Sequence, residues 1–363
     1  MLGLRFKAGD AAGEGISRRA GTGALWQIAG GVWETVVRIG TSVYLARVLT
    51  PHDFGLFGMA LLVGAFILSI GALPMGSGII AKADVNEDDL CTCFWTMVSM
   101  RLLLFGLTFF GAPVAGYLLN EPQVVGLVQV VAFNFLLTIP CVVSQTLLAK
   151  SLQYKVMAVV NGLGAISESI SAIMLTFFIG KTYWCLAYAM LLRTGMVSFA
   201  FLFVCGWFPE FRFKRESFKY LFNFGSKVWG VAFLNYLVEN LDYILVGRFL
   251  GAKALGLYEF AYRIPHTVHM RVSRSAGSVL FPSLAHVQAD DERLARGYFK
   301  AVKGIAFLTL PMLLGLAAVA DKAVIVLWGE QWIPIILPLR ILCLCACLLY
   351  TSPSPRALST SRM

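Results

Sequence analysis

The residues with chemical potential in this chain are charges set inside apolar sequence. Glu34 and Arg38 lie four apart in one apolar stretch. On a helix they share a face, and Glu before Arg is the favourable order for a local pair. Arg101, Glu168 and Arg193 each stand in a further apolar stretch. The densest group comes later. Asn235, Glu239 and Asp242 fall within about 60° of helical arc, and Glu259, Arg263, His266, Arg271 and Arg274 within about 140°. The opposite face of that second helix carries Ile264, Val268, Val272 and Leu280, so one side suits lipid and the other does not. Pro265 predicts a kink in it.

Ionisable side chains are costly in a bilayer and normally face a cavity or a partner. Arginine stays charged and donates two parallel hydrogen bonds, which suits phosphate groups. Two readings stand. The arginines line a water-filled cationic cavity, or they pair with Glu239, Asp242 and Glu259 and hold helices together. Glu34, Glu168, Glu239, Asp242 and Glu259 are equally open to ion coupling or structural pairing. His266 and His269 have a spacing that can bind metal. Nearby arginines repel a cation there, and no further ligand completes the set. Cys91 and Cys93, and Cys343, Cys345 and Cys347, repeat at i, i+2. That spacing points helical neighbours apart, so these are read as small hydrophobes. Neither a metal nor a cofactor is implied. The chain has no Walker A motif, Gly-x-Ser-x-Gly elbow or His-Glu-x-x-His run, and no enzyme is expected.

The elements that must carry these charges are membrane helices. Of 363 residues, 58% are hydrophobic and 14% charged, against roughly 25% charged in soluble domains. Mean hydropathy is +0.75. Spans are expected near 23–49, 54–82, 92–119, 124–149, 156–180, 184–206, 220–250, 255–285, 298–320 and 324–347. The polar first 20 residues lead into a long apolar span, so no cleaved signal is expected. The net charge of +10 reflects loops on one side, not nucleic-acid binding. The side holding the N-terminus and the even-numbered loops carries about 15 basic residues; the other carries Arg47, Lys181, Arg248, Lys253 and Lys322. The N-terminus is therefore expected in the cytoplasm. Asp84, Glu87, Asp88 and Asp89 disagree in net charge, but acids count little in this rule.

The sequence repeats. Ala46-Arg47-Val48-Leu49 with Phe54-Gly55-Leu56-Phe57 returns as Gly247-Arg248-Phe249-Leu250 with Leu255-Gly256-Leu257-Tyr258, about 201 residues later. Gly55 and Gly256 suit a close backbone approach at the turn. The expected organisation is a cytoplasmic segment 1–22, a six-helix lobe 23–206, a cytoplasmic loop 207–219 and a four-helix, truncated lobe 220–346. The Ser- and Pro-rich run 347–363 reads as a non-native, adaptor-derived tail or as a native polar one.

The stretch Glu239-Asn240-Leu241-Asp242-Tyr243-Ile244-Leu245-Val246-Gly247-Arg248-Phe249-Leu250, with Gly256-Leu257-Tyr258 and Ala261-Tyr262-Arg263, resembles the oligosaccharide flippases of the multidrug/oligosaccharidyl-lipid/polysaccharide (MOP) superfamily. It is most similar to the Wzx-like exporters of lipopolysaccharide and colanic acid type. Phe281-Pro282-Ser283-Leu284, Asp290-Asp291-Glu292-Arg293-Leu294 and Leu327-Trp328-Gly329-Glu330-Gln331-Trp332 fit the same pattern. The resemblance implies an all-α polytopic fold of two pseudo-symmetric lobes around a central cavity, with about ten transmembrane helices present here. It implies a multi-pass protein of the bacterial inner membrane that flips undecaprenyl-diphosphate-linked oligosaccharide by alternating access. Its partners would be the lipid-linked oligosaccharide, membrane lipid, and polysaccharide polymerase and export machinery. Arg38, Arg263, Arg271 and Arg274, with His266, sit on helices that hold the lipid diphosphate in such proteins. Competing readings are a drug or cation antiporter of the same fold and a membrane sugar polymerase or ligase. The basic helix disfavours the first, and the lack of a large external loop disfavours the second.

Overall fold

The computed structural model describes residues 13–71, 75–82, 84–285 and 291–351, and every described element is helical. In order these are α1 (Gly13–Val48), α2 (Pro51–Gly71), α3 (Met75–Ala81), α4 (Glu87–Leu119), α5 (Val124–Leu137), α6 (Val142–Lys150), α7 (Tyr154–Phe178), α8 (Trp184–Cys205), α9 (Arg215–Ala285), α10 (Asp291–Trp328) and α11 (Ile336–Thr351).

Local chemistry sets the ends. Thr50 caps α2: its backbone N–H donates to Asp53 Oδ2 at 2.9 Å, and Asp53 N–H donates back to Thr50 Oγ1 at 3.3 Å. Pro51 takes the first helical position, where its missing N–H costs nothing. Asn86 and Asp89 form the same reciprocal box at α4. Pro140 lies in a 3-10 turn, Ile139–Cys141, between α5 and α6. Gly251, at φ 82° and ψ 177°, is a non-helical joint within α9. Gly329, at φ 96° and ψ 175°, ends α10. Both angles lie where a Cβ is strained.

Among the described residues, six helical stretches are long and apolar enough to cross a membrane: Pro51–Gly71, Glu87–Leu119, Val124–Lys150, Tyr154–Phe178, Trp184–Cys205 and Lys303–Trp328. Among the helices outside that set, α1 holds Glu34 and Arg38, α9 is rich in charges, and α11 is only 16 residues long. Large apolar side chains such as Phe110, Phe177, Phe178 and Phe203 are more than 70% exposed. In water they would be a heavy penalty; against lipid tails they are at home. The chain is a multi-pass membrane protein.

One difference from the sequence reading concerns the last spans. Asp321 and Lys322 do not break α10, and the break falls at Gly329. Nothing at 321–323 disfavours a helix, and Asp321 is satisfied by Arg340 Nη2 at 2.6 Å.

Two compact units divide the chain at Leu255 and Gly256. In the first, α1 and α7 run parallel: Gly30 lies beside Ala158, Trp33 beside Gly162, Arg38 beside Glu168 and Tyr44 beside Thr176. Helix α8 runs antiparallel to α7, with Val197 beside Gly164 and Arg193 beside Glu168. The two repeated turns also meet. Leu56, Met59 and Ala60 of the first share a buried cluster with Ala252 and Leu255 of the second. The segment before α9 is strapped to α4. Trp207 Nε1 donates to Glu87 at 3.1 Å, Trp95 Nε1 donates to the Glu210 carbonyl at 2.9 Å, and Phe211 stacks on Trp95. In the second unit Phe260 packs on Trp328 and the fully buried Trp332.

Gly55 is where the repeated turns come closest, since a Cβ there would run into the Ala252 carbonyl. Gly55→Ala should therefore lose about 1–3 kcal/mol, the usual overpacking cost, read as a lower unfolding temperature in detergent. Gly106→Ala, with nothing within 4 Å, should be neutral or slightly stabilising. Equal behaviour of the two variants would contradict the close approach.

Candidate functional site

Four of the charges set in apolar sequence, Glu34, Arg38, Glu168 and Arg193, converge on three helices of the first unit. Glu34 and Arg38 project from one face of α1, Glu168 from the middle of α7 and Arg193 from the middle of α8. Arg38 Nη2 lies 3.2 Å from Glu168 Oε2. Arg193 Nε lies 3.5 Å from that same oxygen, and Arg193 Nη2 lies 3.9 Å from Glu34 Oε2. The result is a chain of alternating charge, Glu34–Arg193–Glu168–Arg38, with two acids and two bases. Its order differs from the expected local pair, because Arg38 reaches across to α7.

Small residues make this possible. Gly164 lets α8 come close to α7 beside the Arg193 stem: a Cβ there would collide with Val197. Gly30 and Gly162 let α1 approach α7 against Ala158 and Trp33. Close helix approach through glycine is a common packing device in membranes.

The chain is not uniform. The side chains of Glu34, Glu168 and Arg193 are each 25% exposed, whereas Arg38 is 47% exposed. Glu168 Oε2 and Arg193 Nε are buried atoms without a well-formed hydrogen bond. Glu168 is thus held by the attraction of two guanidinium groups, not by a bidentate fork. The weaker geometry makes the pair easier to exchange.

The remaining expected residues have the following surroundings within their own units. Arg263 pairs with Glu259 one turn away, at 3.2 Å, and lies 5.5 Å from the Phe260 ring centroid. His266 stacks on Tyr262 at 5.1 Å. Glu239 is exposed and Asp242 half-buried. Arg47 and Arg248 are exposed beside the repeated turns, and Gly55 and Gly256 are buried. The side chains of Arg271 and Arg274 lie outside the described residues, as does the run 352–363. Among the described residues no cluster of His, Cys, Asp or Glu could hold a metal. Cys91, Cys93 and Cys343 are buried, while Cys345 is exposed.

Arg193 is the member absent from the expected site. Its signal was available: it is a lone base in an apolar stretch that follows another holding the lone acid Glu168.

The model of the polysaccharide biosynthesis protein family matches residues 44–337. The chain belongs to that family. It is 27% identical over 332 residues to the lipopolysaccharide biosynthesis protein WzxC of Escherichia coli (strain K12), covering 87% of this chain and 66% of that protein. Against the teichuronic acid biosynthesis protein TuaB of Bacillus subtilis (strain 168) the identity is 26%, covering 90% and 68%. Against the succinoglycan biosynthesis transport protein ExoT of Rhizobium meliloti (strain 1021) it is 28%, covering 79% and 58%. The chain thus spans about two thirds of the length of these relatives, or less. In fold it resembles the lipid II flippase MurJ in an inward closed conformation, with TM-score 0.68, 13% identity, and coverage of 90% of this chain and 73% of that one. A multidrug resistance MATE family transporter of the MOP superfamily follows at TM-score 0.56 and 17% identity, covering 90% and 78%. The Wzx-like resemblance read from the Glu239–Arg263 motif is borne out by the family match and by the likeness to WzxC.

Proposed function

We propose that the protein is a flippase that moves undecaprenyl-diphosphate-linked oligosaccharide across the bacterial inner membrane by alternating access. The observation that carries this reading is the family match over 44–337, whose relatives are named for polysaccharide biosynthesis and transport. The charge chain on α1, α7 and α8 supports it physically. Ionisable side chains inside apolar helices are expensive, and they commonly mark the path of a charged group. The fold likeness to MurJ is stronger than that to the MATE transporter, which favours a lipid-linked sugar over a drug or cation. The protein is a transporter and not an enzyme.

In this reading about ten helices cross the membrane in two pseudo-symmetric lobes, 23–206 and 220–346, joined by 207–219. The repeated turns around Gly55 and Gly256 support the symmetry. Arg38 and Arg263, with Arg271, Arg274 and His266, bind the anionic head. Polymerase and export machinery receive the sugar on the far side. The excess of basic residues on one set of loops supports a cytoplasmic N-terminus and a cytoplasmic 207–219.

Complementation of a strain lacking its oligosaccharide flippase tests the arginines. Arg38→Ala and Arg263→Ala should abolish most polysaccharide export at normal membrane levels. At least one Arg→Lys change should fail as well, because lysine keeps the charge but loses the fork. Normal export by both alanine variants would overturn the cationic site. Orientation is read by impermeant thiol labelling of intact cells, in variants lacking other reactive cysteines. A cysteine at Lys181 or Lys253 should label and one at Lys214 should not; the reverse pattern would invert the topology.

A further inference from the structure

The charge chain contains a competitor for the substrate. Glu168 Oε2 lies 3.2 Å from Arg38 and 3.5 Å from Arg193. Arg38 is the most exposed of the four side chains and, among the described residues, pairs with Glu168 alone. Arg193, in contrast, reaches both Glu168 and Glu34. The two guanidinium groups are therefore not equivalent. One is fixed between two carboxylates on neighbouring helices, and its stem lies beside Gly164. The other hangs on a single carboxylate at the open end.

We propose that Glu168 is a displaceable latch on Arg38, and that Arg193 is the positioning residue that receives Glu168 when the latch opens. This rests on the flippase reading above. An arriving diphosphate offers Arg38 two oxygens in the geometry of its fork, which the single Glu168 oxygen does not. The exchange leaves Glu168 paired, since Arg193 remains beside it. Without Arg193, Glu168 would have only Arg38 and would hold it more tightly. No bond is made or broken and no proton needs to move. The latch also spares the empty site an unpaired cation among apolar helices, which is unfavourable in a bilayer.

The test is binding of undecaprenyl diphosphate to the purified protein in detergent micelles, with monodispersity and helicity checked for every variant. Glu168→Gln should tighten binding about fivefold, the scale of a partly exposed ion pair. Glu168→Asp, whose shorter arm keeps the charge but withdraws it from Arg38, should tighten binding in the same direction. Arg38→Ala should weaken binding, and adding Glu168→Gln to it should give no recovery. Arg193→Met should weaken binding, and Glu168→Gln on that background should restore it to wild-type strength or better. A merely structural role for Arg193 does not give that rescue. If wild type binds the diphosphate lipid but Glu168→Gln and Glu168→Asp bind no tighter, the latch is overturned and the flippase reading stands. If wild type does not bind it at all, both are overturned.

Discussion

The interaction on which the rest of the structure depends is the attraction of one carboxylate, Glu168, for two guanidinium groups on different helices. An ionised side chain within apolar helices cannot be left alone, because removing its hydration costs several kcal/mol. Each of Glu34, Arg38, Glu168 and Arg193 would be untenable singly, and together they are neutral. This requirement fixes α1, α7 and α8 in register. It also explains why the helix that brings two of the four charges, α1, falls outside the six that are apolar enough to cross unaided.

Register needs proximity, and glycine supplies it. Gly30 and Gly162 draw α1 onto α7, while Gly164 lets α8 come close to α7 beside the Arg193 stem. The same device works at the repeated turns, where Gly55 meets the Ala252 backbone. There the sequence repeat becomes a physical contact, since the first copy of the motif packs on the second. The polar strap from Trp207 to Lys214 adds a third restraint on the first unit. It ties the start of α9 to the first turns of α4 through Glu87, Thr92 and Trp95.

Much of this was legible in sequence wherever the cause is local. Thr50-Pro51 with Asp53, and Asn86 with Asp89, write their helix starts in residue types. Gly251 lies where spans seven and eight were separated. The family was legible from Glu239–Arg263 because motifs need no coordinates. Causes that are not local were hidden. Asp321 and Lys322 look like a loop until Arg340 is seen to pair with Asp321 across α10 and α11. Residues 207–214 read as a connecting loop until the indoles of Trp95 and Trp207 find their acceptors. Glu34 and Arg38 satisfy the i, i+4 rule, yet Arg38 pairs with Glu168, over 100 residues away. Helical periodicity assigns residues to faces, but it does not say which faces meet.

The central claim is that this chain of charges serves the passage of an anionic lipid, and transport itself tests it most directly. The protein, reconstituted in vesicles with a fluorescent undecaprenyl-diphosphate-linked sugar, can be followed with a membrane-impermeant quencher. The account predicts that protein exposes inner-leaflet lipid to the quencher and that an undecaprenyl-linked sugar lacking the diphosphate charge is moved far more slowly. Equal exposure of charged and uncharged lipids, or exposure no faster than in protein-free vesicles, would contradict it.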